Sequence, residues 1–470
     1  MSCISVDNVY LIVGTGVTGR AVAEFLHQHK LSFFITDDNI DNLKKLSLND
    51  CITEKCKLYT YDLAILREKH ITHIVLSPTI HAQYNPHKIV RMSMELGIEI
   101  ISDMDLFYES FKQFNLLHRT DKKIVAVTGT NGKSTVTALI AFICNKIGKP
   151  AIACGNIGVN VLSVDLDKYE IFVVEMSSYN LFLMKQMKID VGVLLNISED
   201  HLEYHGDMNR YIEAKTKVLE HAQNKIICID DEYTSKIKCE ATTVSVNNER
   251  ANYYYRDDVF YRNGKKFFSG TFANLRGKHN ITNILCCVAV MANLFDMNDN
   301  NKLAQIMNEV KMFHGLPHRI QFVRQKKGII FINDSKGTNA VSTQKALQAF
   351  ENCEIYLIAG GQRKTAGFLS LKNDLKDVKC VFLIGEATNS FATELSELGI
   401  DYKKCYTMES AVQEAFKEAI LARNINVNSD KRDVLNKTMK NRKKIILLSP
   451  LCASWAPYKN FEERGNNFIE

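Results

Sequence analysis

The chain has 470 residues, enough for about three domains at roughly 150 residues each. Hydrophobic residues make up 46% and charged residues 24%, and Gly 23 with Pro 6 excludes collagen-like and Pro-rich chains. A net charge of +6 over this length is too mild a bias to make nucleic acid or an anionic membrane the main partner. Cysteines number 13, with no C-x-x-C pair, which reads as reduced core thiols rather than a disulfide framework. The first eight residues carry no basic segment, and no apolar run approaches the 18 or so residues of a membrane span. A cytoplasmic chain is expected.

Short β-branched runs alternate with longer helical periods, which predicts parallel α/β architecture. A strand over 9–13 leads through a Gly-rich turn into a helix over about 20–30, then strands over 33–36 and 71–76. A polar stretch near 117–123 precedes a new strand at 124–127 and a second glycine loop, marking a boundary near 115. Strands follow at 171–174 and 191–196, short strands with an Asn263-Gly264 turn at 240–275, and a helix at about 280–295. Gly315-Leu316-Pro317 breaks the chain, and strands recur at 329–332, 355–358, 381–384 and 445–448. The predicted domains are 1–114, 115–316 and 317–470. The basic run 431–444 reads as a solvated loop.

Gly14-Thr15-Gly16-Val17-Thr18-Gly19 fits G-x-G-x-x-G between a strand and a helix, with Asp37 ending the next strand. Glycines there let the backbone approach a pyrophosphate at a helix N-terminus, and Asp37 can take a ribose hydroxyl. Taken alone, this loop makes NAD the default ligand and leaves an NAD-dependent oxidoreductase or a regulatory nucleotide-binding module open.

Gly129-Thr130-Asn131-Gly132-Lys133-Ser134-Thr135 follows a strand and opens an apolar helix. Backbone N–H groups of such a loop cradle phosphates, Lys133 reaches the β/γ oxygens, and Ser134 ligates Mg²⁺. Val127 stands where a general P-loop has its first glycine, which argues against a generic kinase or motor. Glu175 ends an apolar run beside this loop and is well placed to hold Mg²⁺. Read alone, His201 is a loop histidine and Lys215 lies on a solvated helix face.

Together these motifs resemble the Mur ligase family, the ATP-dependent amide-forming enzymes of peptidoglycan precursor synthesis. The resemblance rests on 128–135, Gly155-Asn156-Ile157-Gly158, Glu175 to Ser178, Glu199-Asp200-His201, Lys278-His279-Asn280 with Asn283, and Gly315 to Arg319. Asn333-Asp334-Ser335-Lys336-Gly337-Thr338-Asn339, Ser449 to Ser454 and Phe461 to Gly465 resemble the branch that adds D-glutamate. Other amide ligases of this architecture, such as folylpolyglutamate synthases, are the nearest rivals.

The resemblance implies three domains: a Rossmann-like one holding the UDP of the sugar substrate, a central P-loop ATPase-type one, and a Rossmann-like C-terminal one. By the same token, UDP-N-acetylmuramoyl-L-alanine would meet Gly14, Val17, Thr18, Gly19, Asp37, Asn156 and Ser177. ATP would take Gly129 to Thr135, Asn280, Asn283, Arg319 and Asp334. D-Glutamate would take Lys336, Thr338, Lys364, Ser454 and the backbone at Phe461. The catalytic residues implied are Lys133, His201 and Lys215. Two Mg²⁺ ions are implied, on Ser134, Glu175, His201 and a Lys215 carbamylated by CO₂. A monomer is expected. The chain departs from the family pattern at Asp38, Thr79, Gly367 and Ala456, and Pro457 is expected in the first turn of a helix.

Overall fold

The computed structural model describes residues 3–46, 51–82, 84–272, 275, 277–295, 297, 299–363, 367–428 (side chains to 422) and 442–470. It divides into two compact units, Met1–Thr271 with Lys278–Met312, and Phe272–Gly277 with Phe313–Glu470. The second unit thus begins a little before the predicted 317 and includes a short segment from the middle of the chain.

The first unit carries two sheets. In one, the strands Ser32–Thr36, Val9–Val13, His73–Leu76 and Glu99–Ile101 lie side by side in that order, all parallel. Val9–Val13 sits between the two strands that follow it, so its C-terminal end is where the chain parts to either side. The helix after it, Val17–Gln28, begins earlier than expected because Gly16 already serves as its N-cap. The helix Asp103–His118 runs through the predicted boundary near 115, and the polar turn comes after its end.

The other sheet has nine strands among the described residues. Ala151–Gly155, Ile171–Glu175, Lys123–Thr128, Ile189–Leu194, Ala222–Cys228, Thr242–Ser245 and Tyr253–Arg256 form its parallel part. Val259–Arg262 and Lys265–Ser269 then add an antiparallel hairpin. Its turn is the predicted Asn263-Gly264, both at positive φ (47° and 76°), the backbone that such a two-residue turn requires. Lys123–Thr128 is the switch point, because the next two strands lie to one side and Ile189–Leu194 to the other. Its run of buried residues, Ile124 to Thr128, shows a strand covered on both faces. The helix Lys278–Leu294 packs against Lys133–Lys146, with Cys144 and Met291 sulfurs 3.8 Å apart.

Among the described residues the second unit holds one six-stranded sheet, ordered Gln321–Lys326, Ile329–Asn333, Lys444–Leu448, Glu354–Gly360, Val378–Ile384 and Tyr402–Tyr406. All pairings are parallel except that of the first strand. The loops after Asn333, Gly360 and Leu448 therefore leave the same edge from adjacent strands. Pro457 is not in a first helical turn. It follows a cis peptide bond, and the helix starts at Phe461, capped by the Asn460 side chain accepting from the Glu463 N–H (2.8 Å).

Candidate active site

At the first glycine loop, Gly14 has φ 102°, and a Cβ there would stand 2.4 Å from the Ser77 hydroxyl. A Cβ on Gly19 would meet the Gly14 carbonyl at 1.8 Å, so only glycine lets this helix start so close to the strand end. Nothing lies within 4 Å of a Cβ built on Gly16, and the loop faces open space there. Asp37 is largely committed to the loop itself. Its carboxylate accepts from the Thr15 N–H (2.8 Å) and hydroxyl (2.6 Å) and from the Asn39 N–H (2.9 Å). Burial pushes its pKa up, but these hydrogen bonds outweigh it and hold the carboxyl below its usual range.

The second loop leaves the switch-point strand with Gly129 at φ 157° and Gly132 at φ 88°. Asn196 clamps it, accepting from the Asn131 N–H (2.8 Å) and donating to the Asn131 carbonyl (2.9 Å), while the Asn196 carbonyl accepts from the Thr130 N–H (2.8 Å). Thr130 is further held by the Tyr211 hydroxyl at 3.0 Å. Lys133 folds back onto the Gly129 and Thr130 carbonyls at 2.9 and 3.0 Å. Asn280 and Asn283 are buried and bonded to each other (3.1 Å), and Asn283 Oδ1 lies 2.7 Å from where a Gly132 Cβ would be.

Lys215 is not on a solvated face. It is 2% exposed, and its amine donates to the Gly129 carbonyl at 2.9 Å, the same oxygen that Lys133 uses. Burial first and the Lys133 charge second push its pKa well below the usual lysine value, which favours a neutral amine. Its helix, Met208–Glu220, presents Lys215 and Tyr211 on one face, the ammonium position 4.9 Å above the ring.

Glu175 ends its strand 2% exposed. One carboxylate oxygen accepts from Asn156 Nδ2 (3.2 Å), and the other is buried without a hydrogen-bond partner. An orphaned, buried carboxylate oxygen beside a phosphate loop is the environment a hard cation satisfies. The donors therefore fit Mg²⁺, although among the described residues no three His, Cys, Asp or Glu side chains form a ready-made metal cluster. His201 adopts φ 54° in its loop, its ring 3.5 Å from both Asp200 and Glu203 and 5.0 Å from the Tyr179 ring. The Ser177 hydroxyl is committed to capping the next helix with Asn180.

A single cleft of about 440 Å³ collects Gly16, Val17 and Thr18 with Lys133, Asn156, Ser177, His201 and Lys215. Both glycine loops thus open onto one space, which their separation in sequence does not show. Sequence reasoning missed Asn196, Asp200, Tyr179 and Tyr211. Of these only Asp200 and Tyr179 carried a signal, standing next to His201 and to the Ser177-Ser178 motif.

In the second unit, Asp334 is 4% exposed and accepts from the Ser449 hydroxyl (2.8 Å) and the Ile320 N–H (3.1 Å). Burial pushes its pKa up to about 7, against the pull of Ser449 and Arg319. Arg464, fully buried, joins the neighbouring loops. It donates to the Ser335 hydroxyl (3.0 Å) and carbonyl (2.7 Å) and to the Cys452 (3.2 Å) and Ala453 (3.0 Å) carbonyls. Gln362 pairs with Ala453 in both directions at 3.1 Å. These bonds gather the segments of Lys336, Thr338, Ser454 and Phe461. Lys336 lies 5.1 Å over the Phe461 ring, and Ser335 donates to the Phe461 carbonyl (2.8 Å). Phe461 opens its helix, where N–H groups have no intrahelical partner. Buried atoms without partners here are Ser454 Oγ and Arg319 Nε. Lys364 and most of the basic run lie outside the described residues.

Comparison with known proteins places this geometry. Residues 127–291 match the Mur ligase middle domain, and residues 318–426 match the Mur ligase glutamate ligase domain. A UDP-N-acetylmuramoylalanine--D-glutamate ligase of Rickettsia prowazekii is 35% identical, covering 98% of this chain and 96% of that protein. The chain belongs to the Mur ligase family. Another protein of the same name, from Nitrobacter winogradskyi, is 32% identical over 98% of this chain and 95% of its own length. The fold of the family is shared with UDP-N-acetylmuramate-alanine ligase of Thermotoga maritima (TM-score 0.55, 17% identity, 98% of both chains). It is also shared with the MurF ligase of Thermotoga maritima, solved in complex with ADP (TM-score 0.52, 16% identity, 98% of this chain and 94% of that one). Membership decides between the readings left open by the first loop: the chain is a ligase and not an NAD-dependent oxidoreductase. No helix among the described residues is long and apolar enough to cross a membrane.

Proposed function

We propose that this chain joins the amine of D-glutamate to the alanine carboxylate of UDP-N-acetylmuramoyl-L-alanine, converting ATP to ADP and phosphate. The observation that carries this reading is the shared cleft, where a loop suited to a UDP-sugar and a loop suited to ATP face one another beside two lysines. The similarity to D-glutamate ligases over nearly the whole chain supports the choice of amino acid. We assign the UDP-sugar to 1–114, ATP to 115–316 and D-glutamate to 317–470, in a monomer of the cytoplasm.

The free alanine carboxylate attacks the γ-phosphorus of ATP, ADP leaves, and an acyl phosphate forms. The D-glutamate amine then attacks that carbonyl carbon, loses a proton, and expels phosphate as the amide forms. The first step sets an anion against an anion, so positive charge must be in place beforehand. Lys133 supplies it at the β/γ-phosphates, leaving the Gly129 and Thr130 carbonyls on which its ammonium rests. Ser134 and Glu175 would hold one Mg²⁺, and His201 with Lys215 a second; bound there, the ions neutralise phosphate charge. The neutral amine favoured at Lys215 is the form that CO₂ carbamylates, turning it into an oxygen donor for a hard cation.

Asn280 and Asn283 take the adenine, while Arg319 and Asp334 keep the phosphate and ribose roles that the family resemblance implies. Gly14, Val17, Thr18 and Gly19 take the diphosphate of the sugar, with Asp37 bracing the loop and Asn156 and Ser177 beside it. The two carboxylates of D-glutamate fall to Lys336, Lys364, Thr338, Ser454 and the Phe461 N–H.

Phosphate release from ATP, with Mg²⁺, bicarbonate and UDP-N-acetylmuramoyl-L-alanine present, tests the reading by comparing D-glutamate, L-glutamate and no amino acid. Release that requires the D isomer is expected. Release with a different amino acid instead would move the chain to a sister branch, and no release would overturn the proposal.

A further inference from the structure

Gly367 and Glu394 are far apart in sequence, yet one occupies the space the other leaves. A Cβ built on Gly367 would stand 2.2 Å from Glu394 Oε2, 2.5 Å from Oε1 and 2.7 Å from the carboxyl carbon. The backbone at Gly367, with φ −135°, accepts any residue, so the glycine answers to lack of space and not to conformation. What fills that space is a carboxylate delivered from the helix Thr388–Leu398, 7% exposed. It accepts from Arg363 Nη2 at 2.5 Å and from the Leu369 N–H at 3.3 Å. Arg363 also lies 5.3 Å over the Phe391 ring, one turn earlier on the same helix.

One side chain therefore holds both Arg363 and the Leu369 backbone. Next to Arg363 the backbone is held from its other side, by the two-way pairing of Gln362 with Ala453, whose carbonyl also takes the guanidinium of Arg464. Gly361 is held equally close, since a Cβ there would meet the Ala453 carbonyl at 2.4 Å. Ser454, with its buried and unpartnered hydroxyl, follows directly. The bond from Arg363 is charge-assisted, the stronger class of hydrogen bond.

We infer that Glu394 is a positioning residue for amino-acid binding: its carboxylate, seated in the space left by Gly367, fixes Arg363 and, through it, the 361–363 backbone against the 452–454 segment that carries Ser454. This rests on the assignment of D-glutamate to the second unit. Glu394 touches no reacting atom and acts through Arg363 and the Leu369 amide. Its loss frees Arg363 and the Leu369 amide without removing Ser454, so the effect falls on D-glutamate and spares the other substrates. Gly367→Ala acts the same way from the opposite side, because its Cβ drives the carboxylate off its seat.

The test is steady-state kinetics on the full-length enzyme, with KM for D-glutamate, UDP-N-acetylmuramoyl-L-alanine and ATP measured separately. Glu394→Ala and Gly367→Ala are expected to raise KM for D-glutamate about 10-fold or more, as displaced substrate-binding groups do, with the other two KM values unchanged. In Glu394→Ala/Gly367→Asp the carboxylate is supplied from the loop side, and the D-glutamate KM is expected to return towards the wild-type value. Circular dichroism and thermal melting identify any variant that fails to fold, and the double variant then decides the matter. An unchanged KM for D-glutamate in folded Glu394→Ala, equal rises in all three KM values, or no recovery in the double variant would overturn the inference. A wild-type enzyme that does not use D-glutamate would instead overturn the functional reading on which it rests.

Discussion

Asp334 shows how far a single side chain can be moved from its solution chemistry by the company it keeps. Its carboxyl ionises at about 7 in the fold because burial disfavours the charge more than Ser449 and Arg319 favour it. An unfolded aspartate ionises near 3.8, so between these values the folded chain binds the extra proton. Stability linked to this group is therefore present at low pH and lost as pH rises from about 4 to about 7, by a few kcal/mol in the limit. Urea unfolding of the wild type and of Asp334→Asn across that range is expected to show a downward slope in the first that is reduced in the second. Parallel curves would contradict the assignment. None of this was readable from Asn333-Asp334-Ser335, because the partners are contributed by Ile320 and Ser449. Arg464 is the extreme case. It appeared in the sequence only as part of a motif, and the structure shows all its bonds going to backbone and side-chain oxygens at 335, 452 and 453.

Among the elements, the two glycine loops between strand and helix were the most legible and the supports around them the least. Gly14, Gly19, Gly129 and Gly132 were placed in the right turns because strand, glycine loop and helix follow one another locally in sequence. Asn196, which clamps Asn131 on three backbone and side-chain bonds with its neighbour Thr130, comes from a different strand end and gave no local signal. Lys215 taken alone reads as solvated for the same reason, and only the family resemblance drew it into the site: its period fits a helix, but the buried face is decided by what packs on it. Gly132 offers a test at this scale. As N-cap of Lys133–Lys146 it has φ 88°, and an added Cβ would sit 2.7 Å from Asn283 Oδ1. Gly132→Ala is expected to cost about 1–2 kcal/mol in strain and to raise KM for ATP while leaving KM for the UDP-sugar alone. Equal affinity for ATP in the variant and wild type would show that the loop does not carry the nucleotide.

For the molecule as a whole, the succession of three largely parallel sheets was legible because each restarts after a polar or Gly/Pro break. The compact units divide within a few residues of the predicted 317, whereas the predicted break near 115 falls inside the helix Asp103–His118, within the first unit, and the short segment at 272–277 that joins the second unit had no signal. Nor does periodicity reveal that two glycine loops more than a hundred residues apart share a cleft. In the proposed reaction that shared cleft joins the two nucleotide motifs, the carboxylate of one ligand being brought to the γ-phosphate of the other. The most direct measurement follows the oxygen. UDP-N-acetylmuramoyl-L-alanine labelled with ¹⁸O in its alanine carboxylate is ligated to D-glutamate with ATP, and the released phosphate is analysed by mass spectrometry. One ¹⁸O atom in phosphate for each amide formed is the predicted result. Amide formed with phosphate free of label, the displaced ¹⁸O appearing in water instead, would contradict the acyl phosphate and with it the account of the cleft.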